Sequence, residues 1–143
     1  MPRLSWSLLV VAVALSFARP AQARSAAVLS YPVGQVWSSA VRFIRVDRGF
    51  AIKEKDEGSG YVLFEMVEGG KKYQGSLELV STVDDQGRPS TRAFLSLPDL
   101  PRHYEANLLD KLGFKVRDER GSPVAPPPRK PAGDNHPDAR PPA

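Results

Sequence analysis

Residues 50–66 read FAIKEKDEGSGYVLFEM and predict two β-strands joined by a tight turn. Apolar side chains recur at every second position on both sides of the turn: Phe50, Ile52, Val62, Phe64 and Met66. This alternation places one set of side chains on a buried sheet face. Residues 56–60, DEGSG, supply the turn, because Asp and Ser bond their own backbone and Gly accepts a positive φ. The stretch therefore predicts a β-hairpin, around which the rest of the domain can be laid out.

The segments before the hairpin predict one strand and one helix. Residues 26–31 are expected to form a short strand that a proline ends. Residues 33–46 carry apolar side chains at spacings of three and four, which is typical of an amphipathic helix. Gly49 then ends the helix and lets the chain turn into the hairpin.

The segments after the hairpin predict two more strands and a second helix. Strands are expected at residues 72–83 and 90–97, each preceded by a turn rich in glycine or acidic residues. Gly75, inside the first of these strands, predicts a bulge or a close packing contact. Asp99 is expected to cap a helix that starts at Pro101, runs to about Leu112 and stops at Gly113.

Taken in order, these elements predict an α+β fold with the sequence β-α-β-β-β-β-α. An antiparallel sheet of four to five strands would pack on two helices, in a helix-grip-like arrangement. We assign this domain to residues 24–116.

The N-terminus has the pattern of a secretory signal peptide in residues 1–23. Arg3 supplies a positive charge, residues 4–17 are apolar-rich, and Ala21-Gln22-Ala23 is a small-x-small cleavage site. The apolar run falls short of the ~20 residues that span a bilayer. We expect cleavage after Ala23, which leaves no stable membrane span, and a periplasmic or secreted product.

Residues 117–143 are expected to form a Pro-rich, disordered tail. Residues 121–143 contain eight Pro among 23 residues and almost no apolar bulk, so they cannot bury enough surface to offset the entropy of ordering. A spacer is the simplest interpretation, although residues 126–130, PPPRK, could dock on an aromatic groove or an acidic surface.

Charge and composition exclude several functions. The chain has no Cys, which excludes disulfides and thiolate chemistry. The net charge is +4, yet residues 24–114 hold twelve basic and twelve acidic side chains, so the folded part lacks the basic stripe of a nucleic-acid-binding domain. We therefore expect no nucleic-acid partner.

No motif predicts catalysis or a cofactor. The acidic turns at residues 54–57 and 84–87 lack the spacing of a Ca²⁺ loop and are better explained as solvated turns. His103 has no partner histidine in a metal-binding spacing, and no Ser stands in a nucleophile elbow. Residues 58–60, GSG, lack the spacing of a phosphate loop. We expect a protein that is not an enzyme and has no cofactor and no metal.

Part of the chain resembles a known family. The Val36-Trp37 helix start, the Arg48-Gly49-Phe50 strand entry and the Asp56…Gly60-Tyr61-Val62 hairpin are similar to the repeats of the BamC (NlpB) lipoproteins of outer-membrane assembly and of small envelope proteins like them. The resemblance covers about a third of the chain and implies a small envelope domain. The chain lacks the lipid-modified Cys of that family and has one such domain, so no binding residue is transferred.

Two functions follow as hypotheses. The first is an exported, non-catalytic binding or accessory module for an envelope protein, which would use the surface between helix and sheet or a sheet edge formed by residues 26–31 or 90–97. Its partner surface would include Arg92 and Phe94. The second is a carrier of a lipid or small apolar ligand in a cavity between helix and sheet. The expected cavity lining is Trp37, Ile44, Phe64 and Leu77.

Overall fold

The computed structural model describes residues 24–123 and residue 125. It contains five strands, Ser25–Leu29 (β1), Ala51–Asp56 (β2), Tyr61–Glu68 (β3), Lys71–Val83 (β4) and Pro89–Ser96 (β5), and two helices, Val33–Arg42 (α1) and Arg102–Arg120 (α2). The expected signal peptide, residues 1–23, and residues 124 and 126–143 of the expected tail lie outside the described residues.

The strands form one antiparallel sheet in the order β1-β5-β4-β3-β2. Both helices pack on its inner face, so the predicted α+β, helix-grip-like fold is confirmed. The hairpin predicted from residues 50–66 is present as β2 and β3, with Ile52 opposite Phe64. A bulge at Lys53 shifts the register by one residue within β2.

The core lies between the inner face and the helices, as the alternating pattern requires. Val62, Phe64 and Met66 from β3 are buried there, and their neighbours in the strand are more exposed. The helices, and Ile44 directly after α1, contribute further side chains that are almost completely buried; those of the helices are Val36, Ala40, Leu112 and Val116.

The first helix ends in a wider turn. After α1, residues Phe43–Asp47 form a π-helical turn, in which the Arg48 amide donates to the Phe43 carbonyl over 2.9 Å. Gly49, with a φ of 66°, then redirects the chain, and the Phe50 amide donates to the Ile44 carbonyl over 2.9 Å. The predicted helix at residues 33–46 is thus present, and its last turn directs Arg48 outward next to β2.

The second helix differs from the prediction at both ends. No side chain caps its first turn, so the prediction of an Asp99 cap is wrong. The helix does not stop at Gly113 but continues to Arg120, because Val116 extends the buried stripe by a turn. Gly121, with a φ of 74°, ends it. The helix therefore crosses residues 116 and 117, where the sequence predicts the start of the tail.

Gly75 marks a close contact rather than a bulge. It lies directly opposite Phe64, and the register from β3 to β4 is continuous. A Cβ atom at this position would lie 2.5 Å from Cζ of Phe64 and 2.6 Å from Cδ2 of Leu97. The sequence predicted either a bulge or a close packing contact at Gly75, and the structure has the close packing contact.

Candidate functional site

The outer face of the sheet carries the two residues that the sequence singled out as a partner surface. Phe94 lies opposite Ala26 of β1 and Glu78 of β4, and Arg92 lies opposite Val28 and Val80. Residues paired directly across neighbouring strands share a face, so these six side chains form one patch, which we call the outer patch.

The outer patch combines an aromatic ring, a guanidinium, aliphatic side chains and the carboxylate of Glu78, which pairs with Arg24 over 2.7 Å. The Arg92 guanidinium carbon lies 6.0 Å from the centre of the Phe94 ring, which is a cation–π contact. Val28 and Val80, on either side of Arg92, are 54% and 41% exposed. Both helices pack on the opposite side of the sheet, so no described element covers the patch.

The edges of the sheet are β1 and β2. Of the two strands expected at an edge, the first lies there, whereas the strand predicted at residues 90–97 is enclosed between β1 and β4. Arg92 and Phe94 therefore lie one strand inside the edge, about 5 Å from it by the ordinary spacing of strands.

The two edges differ in charge. β2 reads AIKEKD, and its charged side chains and bulge are the usual protection of an edge against pairing with another chain. β1 reads SAAVL and carries no charge. Its outward side has no strand partner among residues 24–123. Within the described residues, β1 is thus the less protected of the two edges.

Buried polar contacts hold β1 in place from the inside. The Ser25 hydroxyl donates to Glu105 Oε2 of α2 over 2.5 Å, and Glu105 Oε1 accepts the Leu97 amide over 2.8 Å. After the strand, the Thr91 hydroxyl donates to the Tyr31 carbonyl over 2.8 Å. These contacts fix the strand while leaving its outer edge unpaired, and sequence reasoning missed Glu105 because a buried carboxylate has no pattern of its own.

The predicted cavity lining is only partly assembled. Ile44, Phe64 and Leu77 meet around an interior space of about 10 Å³, whereas Trp37 does not line it. The rings of Phe50 and Phe64 stack beside this space, with centres 5.5 Å apart. Such a volume is roughly that of one water-sized probe, and an apolar space of this size stays empty.

A polar network that the sequence did not reveal joins the two helices. Glu119 accepts from Lys115 over 3.1 Å and from Arg42 over 2.8 Å. The Ser39 hydroxyl is the largest cause that lowers the pKa of Glu119 to about 2, followed among the lowering causes by Lys115 and Arg42. The other oxygen, Oε2, is buried and makes no hydrogen bond of normal geometry within the described residues. Lys115 and Glu119 are four residues apart, a spacing that could have indicated their ion pair within α2. The sequence gives no such indication that Glu119 also contacts Ser39 and Arg42 of α1.

A cleft lies between α2 and the strand entry on the inner side of the sheet. Its volume is about 270 Å³, and its lining is Arg48, Met66, Glu68, His103, Tyr104, Asn107, Leu108 and Lys111. Arg48 and Lys111 also line an adjoining open groove of about 740 Å³. Sequence reasoning missed this cleft, because its two cations lie more than sixty residues apart in the chain.

The acidic turns have structural roles. Asp56 Oδ1 accepts the Gly58 amide over 3.0 Å. Asp84 accepts the amides of Arg88 and Gln86, both over 2.9 Å. The Arg88 amide is the largest cause that lowers the pKa of Asp84, followed among the lowering causes by the Arg88 side chain and the Gln86 amide. His103 contacts the Tyr104 ring at 4.5 Å between centres. Residues 24–123 contain no group of three or more metal-ligating side chains and no helix long and apolar enough to cross a membrane.

Comparisons with known proteins identify no family. No family model and no curated protein matches the chain. Among solved structures, DynU16, a protein in the dynemicin biosynthetic locus, aligns with a TM-score of 0.46 and 18% identity, over 70% of this chain and 48% of its own. The chain thus spans about half the length of DynU16. Ara h 8.0201 aligns with a TM-score of 0.37 and 10% identity, over 67% of this chain and 97% of its own. No residue role is transferred from either.

Proposed function

We propose that this protein is a non-catalytic binding module that captures a protein partner by adding a strand of that partner to β1. The observation that carries the proposal is the contrast between the edges: β2 is charged and bulged, and β1 is uncharged and unpaired. A partner strand on β1 would gain main-chain hydrogen bonds along the whole edge.

The outer patch would then supply specificity. Side chains of an added strand alternate between the two faces of the sheet, so those on the outer face would lie beside Ala26 and Val28. Phe94 and Arg92 lie two strand spacings, about 10 Å, from the added strand, so a long side chain of the partner would reach them across Val28. Aromatic and Arg side chains are the residue types that most often dominate binding energy at interfaces. This chemistry fits a partner with an extended, apolar segment that carries an acidic side chain near Arg92.

We further propose that the module acts in the cell envelope after export. The signal-peptide pattern of residues 1–23 and the resemblance to small envelope domains support this location.

The carrier hypothesis requires an interior cavity large enough to hold a ligand. The interior space of about 10 Å³ is far below the ~300 Å³ of a typical ligand pocket, so a ligand at Ile44, Phe64 and Leu77 would have to open the core. The outer patch needs no such opening, which is why strand capture is the function that this geometry supports best.

Photo-crosslinking from the outer patch tests the proposal. Benzoylphenylalanine replaces Phe94 in one variant and Val46, an exposed residue of the π-helical turn, in the control. We expect a defined protein adduct from position 94 and not from position 46. The adduct is then identified and purified for binding measurements.

Lysine substitutions at the same two positions test whether the crosslinked protein binds through the outer patch. Phe94→Lys should abolish binding of the purified partner and keep the circular dichroism spectrum, because Phe94 lies outside the core. Val46→Lys should bind normally. Equal binding by both variants, or equal adducts at both positions, would exclude the outer patch as the recognition surface.

A further inference from the structure

The cleft beside α2 has an apolar floor. Met66 and Leu108 are buried core residues that line it, and the half-buried ring of Tyr104 stands next to them. At about 270 Å³ the cleft is slightly smaller than the ~300 Å³ at which typical ligand pockets begin. It therefore has room for one slender apolar chain and not for a bulky or two-chain ligand.

Two cations stand where this cleft opens into the groove. Arg48 and Lys111 line both spaces. Neither forms an ion pair within residues 24–123, although Arg48 lies 5.7 Å from the centre of the Phe50 ring. Lys115 of the groove, in contrast, is held by Asp47 over 2.8 Å. Arg48 and Lys111 are thus available to an incoming anion.

The charge balance of the cleft favours a single negative charge. Glu68 lines the cleft itself, and its carboxylate offsets one of the two cations. In the adjoining groove, Asp118 similarly offsets Arg117. A guanidinium fork binds a carboxylate through two parallel hydrogen bonds, and an ammonium adds a point charge beside it.

We infer that this cleft binds a single-chain amphiphile with a terminal carboxylate. The carboxylate lies between Arg48 and Lys111, and the alkyl chain enters the cleft over Met66, Leu108 and Tyr104. The site is separate from the outer patch, which lies on the opposite face of the sheet, and from the β1 edge, which lies three strands away from β3, so either proposal can fail without the other.

Methionine NMR gives a direct readout of the cleft. The chain has two Met, Met1 and Met66, and Met66 lies in the lining. In protein labelled with ¹³C at the methionine methyl groups, dodecanoate below its micelle concentration should shift the Met66 signal saturably. Dodecanol tests the chain alone, acetate tests the charge alone, and dodecyl phosphate tests a doubly charged head. We expect dodecanoate to bind at least about tenfold more tightly than dodecanol, the factor that one charge-assisted contact typically contributes. It should also bind more tightly than acetate, which lacks the alkyl chain, and than dodecyl phosphate, whose second charge has no free cation among the described residues of the cleft.

Variants separate the charge from the cleft. Lys111→Gln, on the exposed side of α2, should weaken dodecanoate about twofold to fivefold and leave dodecanol unchanged. Asn107→Trp fills the cleft without removing a charge and should block both ligands. Lys55→Gln, at the far end of β2, is the matched control and should bind like the wild type. Equal affinity for dodecanoate and dodecanol, tighter binding of dodecyl phosphate, no effect of Lys111→Gln, or no shift of the Met66 signal would overturn the inference.

Discussion

Replacement of Gly75 by Ala tests whether the centre of the core is packed as tightly as the structure shows. The added Cβ would lie 2.5 Å from Phe64 Cζ, so that atom must move about 0.9 Å to reach the 3.4 Å at which ordinary contacts begin. It cannot move easily, because Phe64 is buried and stacks on Phe50, and because Leu97 approaches the same Cβ to 2.6 Å. Overpacking of this kind costs about 1–3 kcal/mol of unfolding free energy. For a domain of this size the melting temperature should fall by roughly 5–20 °C.

Urea unfolding of the full chain, followed by far-UV circular dichroism, measures this cost. Gly34→Ala is the matched control, since a Cβ at that exposed helical position meets no atom within 4 Å. It should be neutral or stabilising by up to about 1 kcal/mol, because Ala is the better helix former. In a Phe64→Leu background the cost of Gly75→Ala should shrink, because the ring atoms are gone. If the unfolding free energy of Gly75→Ala lies within about 0.5 kcal/mol of that of the wild type, as for neutral surface substitutions, the packing argument is refuted.

Four further outcomes are expected. The pKa of Glu119 is lowered to about 2, so its contribution to stability is present above about pH 4.5 and is lost as the pH falls toward 2. Glu119→Gln should cost at most about 1–2 kcal/mol of unfolding free energy at pH 7 and reduce the loss of stability between pH 4.5 and 2, whereas Glu78→Gln, in the exposed pair with Arg24, should change little. The same loss of stability in Glu119→Gln as in the wild type would contradict the network. Trp37→Ala should cost on the order of 3–5 kcal/mol in urea unfolding, since the ring is buried, and a neutral result would remove Trp37 from the core. Mass spectrometry of the exported protein should find Arg24 at its N-terminus, and intact residues 1–23 on a membrane-bound product would contradict cleavage. Deletion of residues 122–143 keeps Gly121 and should leave the melting temperature unchanged, while a fall of several degrees would show that this segment packs on the domain.

Local periodicity explains what the sequence could predict. The alternation from Phe50 to Met66 specifies strands and the face that each buries, and the same signal places Phe94 on the outer face. A local signal failed at Gly113, because the buried side chain of Val116, about one turn further on, keeps the chain helical beyond that glycine.

Contacts between distant residues could not be predicted. The pairing of β1 with β5 depends on the sheet order, which turn chemistry does not specify for a crossover strand. Glu119 meets Ser39 and Arg42 only because α1 and α2 pack together, and the cations of the cleft likewise come from separate elements. Periodicity within one segment carries no information on such pairs.

Amide hydrogen exchange in the presence of the partner identified by crosslinking tests most directly the central claim that a partner strand adds to β1. Strand addition gives the unpaired amides of β1 new hydrogen bonds, so peptides covering Ser25–Leu29 should exchange more slowly when the purified partner is bound. Peptides covering Ala51–Asp56, the charged edge, serve as the internal control and should exchange at the same rate with and without the partner. Protection of β2, or unchanged exchange in β1 at saturating partner, would contradict recognition at the β1 edge.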